Sequence, residues 1–294
     1  MKSPCNVHIG TCSWKYDSWR GLIYPETGPI NYLASYSKHY RTVEVDQWFW
    51  SLFGKDTAVL PKHRVVREYA ESVPEDFLFC VKVPNSISLT HHYKQNRNEP
   101  LRQNPHFLSA ELMERFLEVL EPIRDRLGPL IFQFEYLNKQ KMSGLAEFID
   151  RFGWFAERLP HGFIYTVEIR NPNYLKRAYF EFLSDIGFHH VFLQGYYMPP
   201  IFPLYDRFNG LIHDRSVIRL LGSERQKIEQ QTGKSWNSIV HPRNNEISRL
   251  ADMLTELHER SVETFLYVNN HFEGSAPHTI SKIEETLAAQ SSRS

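Results

Sequence analysis

The run Phe163-Ile164-Tyr165-Thr166-Val167-Glu168-Ile169-Arg170 reads as a strand whose far end carries a carboxylate and a guanidinium. Side chains alternate along a strand, so Thr166, Glu168 and Arg170 share one face while Tyr165, Val167 and Ile169 share the other. The apolar face suits a layer of helices, which leaves the polar face turned inward. A shorter run of the same kind, Thr42-Val43-Glu44-Val45, lies earlier in the chain. A carboxylate is seldom buried alone, because its removal from water is costly unless charge or hydrogen bonds compensate. Two of them at strand ends point to a ligand site, as at the C-terminal strand ends of α/β proteins, or to internal ion pairs with neighbouring Arg or Lys.

Outward from this run, apolar stretches of strand length alternate with longer amphipathic ones. The strand candidates are Val7 to Thr11, Thr42 to Val45, Phe77 to Val83, Leu130 to Phe134, Phe163 to Ile169, His189 to Leu193, Ser216 to Leu221 and Thr264 to Val268. Helical patterns cover Asn31 to His39, Ser109 to Arg126, Ser143 to Arg158, Tyr174 to Ile186, Asn245 to Arg260 and Pro277 to Ala289. Eight strands with helices between and after them predict an α/β protein with a TIM-like (β/α)8 barrel, a single domain over residues 1–289 with a frayed tail at 290–294. A doubly wound open sheet is the alternative. Three long connections, Pro84 to Phe107, Gly195 to Asp214 and Gly222 to Pro242, follow the third, sixth and seventh strands. They belong on the C-terminal face, the first as a lid.

The chain has 294 residues, 41% hydrophobic and 23% charged, an ordinary balance for a globular protein that can bury a large core. Lys plus Arg equals Asp plus Glu at 34 each, so no chain-wide basic footprint supports dedicated nucleic-acid binding. The N-terminus lacks an apolar leader core, and no apolar run approaches the roughly 18 residues of a membrane span, so a cytoplasmic protein with no membrane partner is expected. Cys5, Cys12 and Cys80 form no CxxC pair and are expected as reduced thiols. The sequence carries no signal for oligomeric state.

Strand parity selects the candidate site. Glu44, Lys82, Gln133, Glu168, Arg170 and Arg219 face inward, because Val43, Val45, Val81, Val83, Phe132, Phe134, Ile218 and Leu220 would meet helices. One positive charge in excess among the acids and bases favours an anionic ligand, with Arg binding carboxylate or phosphate in a fork and Lys as a point charge. Two carboxylates in different surroundings can divide into acid and base. Metal ligation is poorly supported: HxH, HExxH and DxD spacings are absent, and a divalent cation would need Glu44 and Glu168 brought together. Gly233-Lys234-Ser235 is no phosphate loop, since Ile228 stands where the first glycine belongs, and no Gly-Xaa-Ser-Xaa-Gly elbow is present. Among the aromatic groups, Trp14 and Trp19 follow the first strand and are candidates for stacking on a ligand; anchoring of the loop is the alternative.

Taken together these motifs resemble the domain of unknown function 72, or YecE-like, family over nearly the whole chain. The matching pieces are Ile9-Gly10-Thr11-Cys12-Ser13-Trp14, Trp19-Arg20-Gly21, Tyr24-Pro25, Thr42-Val43-Glu44-Val45, Phe79-Cys80-Val81-Lys82-Val83-Pro84 and Thr90-His91. Further on they are Leu130-Ile131-Phe132-Gln133, Thr166 to Pro172, Ile218-Arg219-Leu220, and Tyr267-Val268-Asn269-Asn270-His271 with Gly274 and Ala276. The resemblance implies a TIM-barrel-like fold with these polar residues around a cleft, and assigns no activity. The chain departs from the family pattern in three places. Asp46-Gln47-Trp48-Phe49-Trp50 replaces Asn-Ser-Thr-Phe-Tyr, Glu135-Tyr136 replaces Pro-Pro, and Leu221 replaces a histidine.

The expectation is an enzyme, of hydrolase, lyase or isomerase type, acting on a small anionic substrate such as a phosphorylated sugar or sugar acid, with no cofactor. Glu44 and Glu168 would exchange protons, Lys82, Arg170 and Arg219 hold the anion, Gln133 and Asn269 orient hydroxyls, and His91 closes from the lid. Two alternatives stand beside it. One is a non-catalytic protein that binds an anionic metabolite, motivated by Leu221; the other is a phosphodiesterase or nuclease using Lys94, Arg97 and Arg102.

Overall fold

A computed structural model describes residues 6–53, 56–94, 96 and 98–292. Cys5, Arg97 and the last two tail residues lie outside the described residues. Eight parallel strands close into one barrel: β1 (Val7–Thr11), β2 (Thr42–Val45), β3 (Leu78–Lys82), β4 (Leu127–Gln133), β5 (Tyr165–Glu168), β6 (His189–Gly195), β7 (Arg215–Gly222) and β8 (Glu263–Val268). Neighbours follow chain order around the ring, and β8 pairs with β1 to close it. This is the TIM-like (β/α)8 arrangement that the alternating pattern predicts, and the open-sheet alternative falls because no barrel strand is left as an edge. By internal packing the chain divides into two compact units. The first holds Met1–Glu44, Ser72–Leu78 and Val191–Ser294; the second holds Val45–Glu71 and Phe79–His190.

The helices are α1 (Tyr32–Tyr36), α2 (His63–Glu71), α3 (Asn85–Ser88), α4 (Ala110–Val119), α5 (Leu145–Ala156), α6 (Arg177–Asp185), α7 (Ile201–Phe208), α8 (Arg225–Thr232), α9 (Asn244–Glu259) and α10 (Ala276–Ser291). Local chemistry sets their ends. Asn31 caps α1 by accepting from Ala34 N, and Ser109 caps α4 by accepting from Leu112 N. The single helix expected over Ser109 to Arg126 breaks at Leu120, and Glu121–Arg126 continues as a 3-10 helix with Pro122 in its first turn. Proline lacks the N–H and its ring crowds the preceding turn, so the α-helix cannot run through. Gln290, expected in the frayed tail, lies in α10, where its side chain donates to Asp252 at 2.8 Å.

Strand parity holds where ring contacts test it. Phe132 and Phe134 of β4 pack against Phe148, Phe152 and Phe155 of α5, with ring centroids 5.1 to 5.7 Å apart. That leaves Ile131 and Gln133 on the inner face. In the first unit the hydroxyls of Thr42 and Tyr267 lie 2.9 Å apart, joining β2 to β8 inside the ring.

The lid expected over Pro84 to Phe107 is corrected at its near end. Asn85, Ser86, Ile87, Ser88, Leu89 and Thr90 are all buried. The side chain of Asn104 donates to Ser86 O and Leu89 O at 2.7 and 2.6 Å, and Asn85 Oδ1 accepts from the backbone of Ser51 and Leu52. A segment whose carbonyls are satisfied from within belongs to the wall.

Candidate functional site

In the first unit Glu44 and Arg219 find each other across 175 residues of sequence. Arg219 Nε donates to one carboxylate oxygen at 2.6 Å and Nη2 to the other at 2.7 Å, and the side chains are 0% and 4% exposed. The fork-on-fork geometry occupies both oxygens and cancels both charges. Arg219 is flanked on β8 by its register partner Tyr267, and Leu221, at the register shift between β6 and β7, is buried. The Glu44–Arg219 contact is an internal ion pair of the kind that the sequence offers beside a ligand site.

The second unit differs. Lys82, Gln133 and Glu168 are the last residues of β3, β4 and β5, and the ladder sets Gln133 opposite Glu168 and Lys82 opposite Ile131. Glu168 is fully buried, whereas the side chain of Arg170 stays 27% exposed. Two donors of Arg170 meet one carboxylate oxygen: Nε and Nη2 donate to Glu168 Oε1 at 3.0 and 2.9 Å. Lys82 Nζ stands 3.9 Å from the centre of the Phe49 ring, a cation–π contact. Gln133 Oε1 and Glu135 Oε1 are shut from solvent with no hydrogen-bond partner, although Glu135 Oε2 pairs with Lys141 at 2.6 Å.

Tyr93 is tied electrostatically to Glu135, Arg170 and Asn85. Desolvation raises its pKa, the Glu135 charge adds to the rise, and Arg170 with a hydrogen bond from Asn85 opposes it. His91 is half-buried; its Nδ1 lies 2.9 Å from Thr90 Oγ1, and desolvation, followed by the charges of Lys141 and Arg151, lowers its pKa. It is therefore neutral at pH 7.

Other expected ligand contacts are placed differently. Trp19 has no exposed surface and packs between Tyr16 and Tyr24; Trp14 is also buried, its carbonyl accepting from the Tyr24 hydroxyl. Rings with no open face hold the loop together, which is the anchoring alternative. Asn269 follows β8, but its Oδ1 accepts from His271 N at 2.9 Å and lies 2.6 Å from His271 Nδ1, so it orients that ring. His271 Nε2 meets Glu229 at 3.0 Å, and the Arg225 guanidinium, then His271, hold the Glu229 carboxyl at about 2. Burial lowers the His271 pKa, against the pull of Glu229. Among the described residues no three His, Cys, Asp or Glu side chains converge as a metal site, and Glu44 and Glu168 are each held by an arginine.

Sequence reading passed over Tyr93 and Glu135. Tyr93 adjoins the His91-His92 pair in a segment that is polar by composition, and Glu135 stands where the family pattern has proline. That replacement of an apolar residue by an acid just past a strand end was the available signal.

Residues 8–294 match the family model described as "Protein of unknown function DUF72". The chain is 26% identical over 184 residues to the UPF0759 protein YecE of Escherichia coli, in strain K12 and in O157:H7, a stretch covering 62% of this chain and 55% of that protein. It thus spans about half the length of the curated relatives it matches. A crystal structure of a DUF72 family protein from Enterococcus faecalis V583 superposes with a TM-score of 0.68 at 18% identity, covering 96% of this chain and 95% of that one. Another from Thermotoga maritima MSB8 gives 0.66 at 21% identity, covering 96% and 99%. At these identities the likeness speaks for the barrel alone. Among the described residues no helix is long and apolar enough to cross a membrane.

Proposed function

We propose, for a chain that belongs to the DUF72 family of proteins of unknown function, an enzyme that performs general acid/base chemistry on a small anionic substrate such as a phosphorylated sugar or sugar acid. The observation that carries the reading is the unequal exposure of one ion pair: Glu168 is sealed, while its partner Arg170 keeps 27% of its side chain in solvent. An anion arriving at Arg170 competes for the guanidinium. The glutamate then loses its counter-charge in a dry place, its affinity for a proton rises, and it can take one from the substrate and return it. Lys82 supplies the second cation, Gln133 Oε1 accepts from a substrate hydroxyl, and His91, neutral at pH 7, serves as the second proton-transfer group. The two-glutamate scheme narrows to Glu168, because both oxygens of Glu44 are taken by Arg219. The reaction belongs to the hydrolases, lyases or isomerases, and the buried reduced thiols Cys12 and Cys80 fit a cytoplasmic setting.

The test is turnover of a panel of sugar phosphates and sugar acids followed by proton and phosphorus NMR. Glu168→Gln is expected to lower kcat by about 10²- to 10⁴-fold, and Arg170→Met to raise KM. Unchanged turnover in Glu168→Gln would refute the assignment. A non-catalytic anion sensor is the second reading, favoured by the arginine partner on each glutamate and by buried Leu221. Calorimetric binding of a panel member without conversion selects it.

A further inference from the structure

The charged strand ends of the second unit connect to the surface through an unbroken run of rings. Lys82 Nζ covers Phe49; Phe49 meets Trp50 edge to face at 5.2 Å; Trp50 meets Tyr93 at 6.0 Å with planes 47° apart. The run ends in the open: Trp50 and Tyr93 are 59% and 53% exposed, among the few large hydrophobic residues left in solvent. Tyr93 faces two ways. The residue is 53% exposed, yet its hydroxyl is partly desolvated and interacts with Glu135, Arg170 and Asn85.

We infer that Trp50 and Tyr93 form the ring-binding end of this site and that its substrate is a cyclic sugar anion, a pyranose phosphate or uronate, with the anion at Arg170. The inference rests on Arg170 as the anion ligand and adds the class of molecule. Three features select a sugar ring. An exposed aromatic pair offers an apolar face wide enough for the C–H side of a pyranose. The acceptors of the same unit lack donors: Glu135 Oε1, whose charge acts on Tyr93, and Gln133 Oε1, at the strand end opposite Glu168, are buried and unpartnered, each a cost of about 1–3 kcal/mol that a ligand hydroxyl would relieve. A flat heteroaromatic ring would fill the apolar face but bring few donors to those oxygens. Lys82 lies at the inner end of the run and Arg170 acts on Tyr93 at its outer end, so a ring resting on the aromatic pair has a cation within reach of its charged group.

The full chain is titrated calorimetrically with glucose 6-phosphate, glucuronate, the open-chain anion 3-phosphoglycerate and inorganic phosphate. Wild type is expected to bind a pyranose anion at least tenfold more tightly than inorganic phosphate or 3-phosphoglycerate. Trp50→Ala and Tyr93→Ala each weaken the pyranose anion about 5- to 100-fold, the range for loss of one stacking ring, and leave inorganic phosphate unchanged. Both side chains are half exposed, so the fold tolerates their loss, and thermal melts overlaying wild type verify this. Arg170→Met weakens both ligand classes. If the ring variants change pyranose affinity less than twofold while Arg170→Met abolishes it, the ring inference falls and the anion site stands. If Arg170→Met leaves every affinity unchanged, or neither pyranose anion binds wild type, both fall.

Discussion

At the scale of single residues the interior holds its charges in three ways. Glu44 and Arg219 neutralise one another in a sealed two-bond fork, where removal of either partner would strand the other at a cost of about 3–5 kcal/mol. Glu168 and Arg170 do so with the carboxylate sealed and the guanidinium 27% exposed. His190 takes the third course and stays neutral. It is buried against Tyr179 and Phe180, its Nδ1 lies 3.2 Å from the Tyr179 hydroxyl, and desolvation brings its pKa down to about 3 despite the charge of Glu168. An unfolded imidazole binds its proton near 6.5, so between about 6.5 and about 3 the unfolded chain holds one proton more than the folded chain. Stability contributed by the neutral ring is therefore present above 6.5 and lost as pH falls through that window, at up to about 1.4 kcal/mol per pH unit. Urea denaturation of wild type and His190→Gln across pH 4–7 should show the variant with the shallower slope; parallel curves would mean that His190 is not kept neutral by its surroundings.

At the scale of elements the strands were legible and the short helices were not. All eight strand candidates appear, β1 and β2 with unchanged bounds, because β-branched runs bounded by polar residues have few other readings. Helix α7 carries an apolar stripe at Ile201, Tyr205 and Phe208, but Pro199, Pro200 and Pro203 argue against a helix there, whereas α8, Arg-Gln-Lys-Ile-Glu-Gln-Gln-Thr, buries only Ile228 and shows no stripe. Parity likewise gave the face of each glutamate but not its partner, since pairing of Glu44 with Arg219 depends on how the ring closes. The burial of α3 was hidden too, because Asn85-Ser86-Ile87-Ser88 is polar by composition and its hydrogen-bond donor, Asn104, is far along the chain. That dependence is testable. In Asn104→Ala the carbonyls of Ser86 and Leu89 lose a buried donor, which should cost about 1–3 kcal/mol and speed amide exchange at Ile87 and Leu89. Unaltered exchange there would restore a self-sufficient α3.

At the scale of the whole molecule, a closed ring of strands has no edge, and one of its joins is reinforced from a helix. The join of β1 to β2 depends on a side chain. Its ladder pairs Thr11 with Val43, and a Cβ on Gly10 would stand 2.2 Å from Thr42 O, so the backbones approach closely and only glycine fits. Just beyond, the Tyr36 hydroxyl of α1 accepts from Thr11 N at 2.9 Å and donates to Thr42 O at 3.0 Å, bridging the two strands. The ring of Tyr36 is fully buried, which pushes its pKa up and keeps the hydroxyl a donor at every accessible pH. Tyr36→Phe keeps the packing and removes the bridge, leaving one N–H and one C=O buried and unpaired at about 1–3 kcal/mol each. The variant should lose stability by that order in urea. Hydrogen exchange should rise first at Thr11, ahead of the β7–β8 ladder, because a ring with one weakened join opens there before its well-paired strands separate. Loss of protection spread evenly over all eight strands would instead mean that the closed sheet opens only as a unit, with no preferred seam.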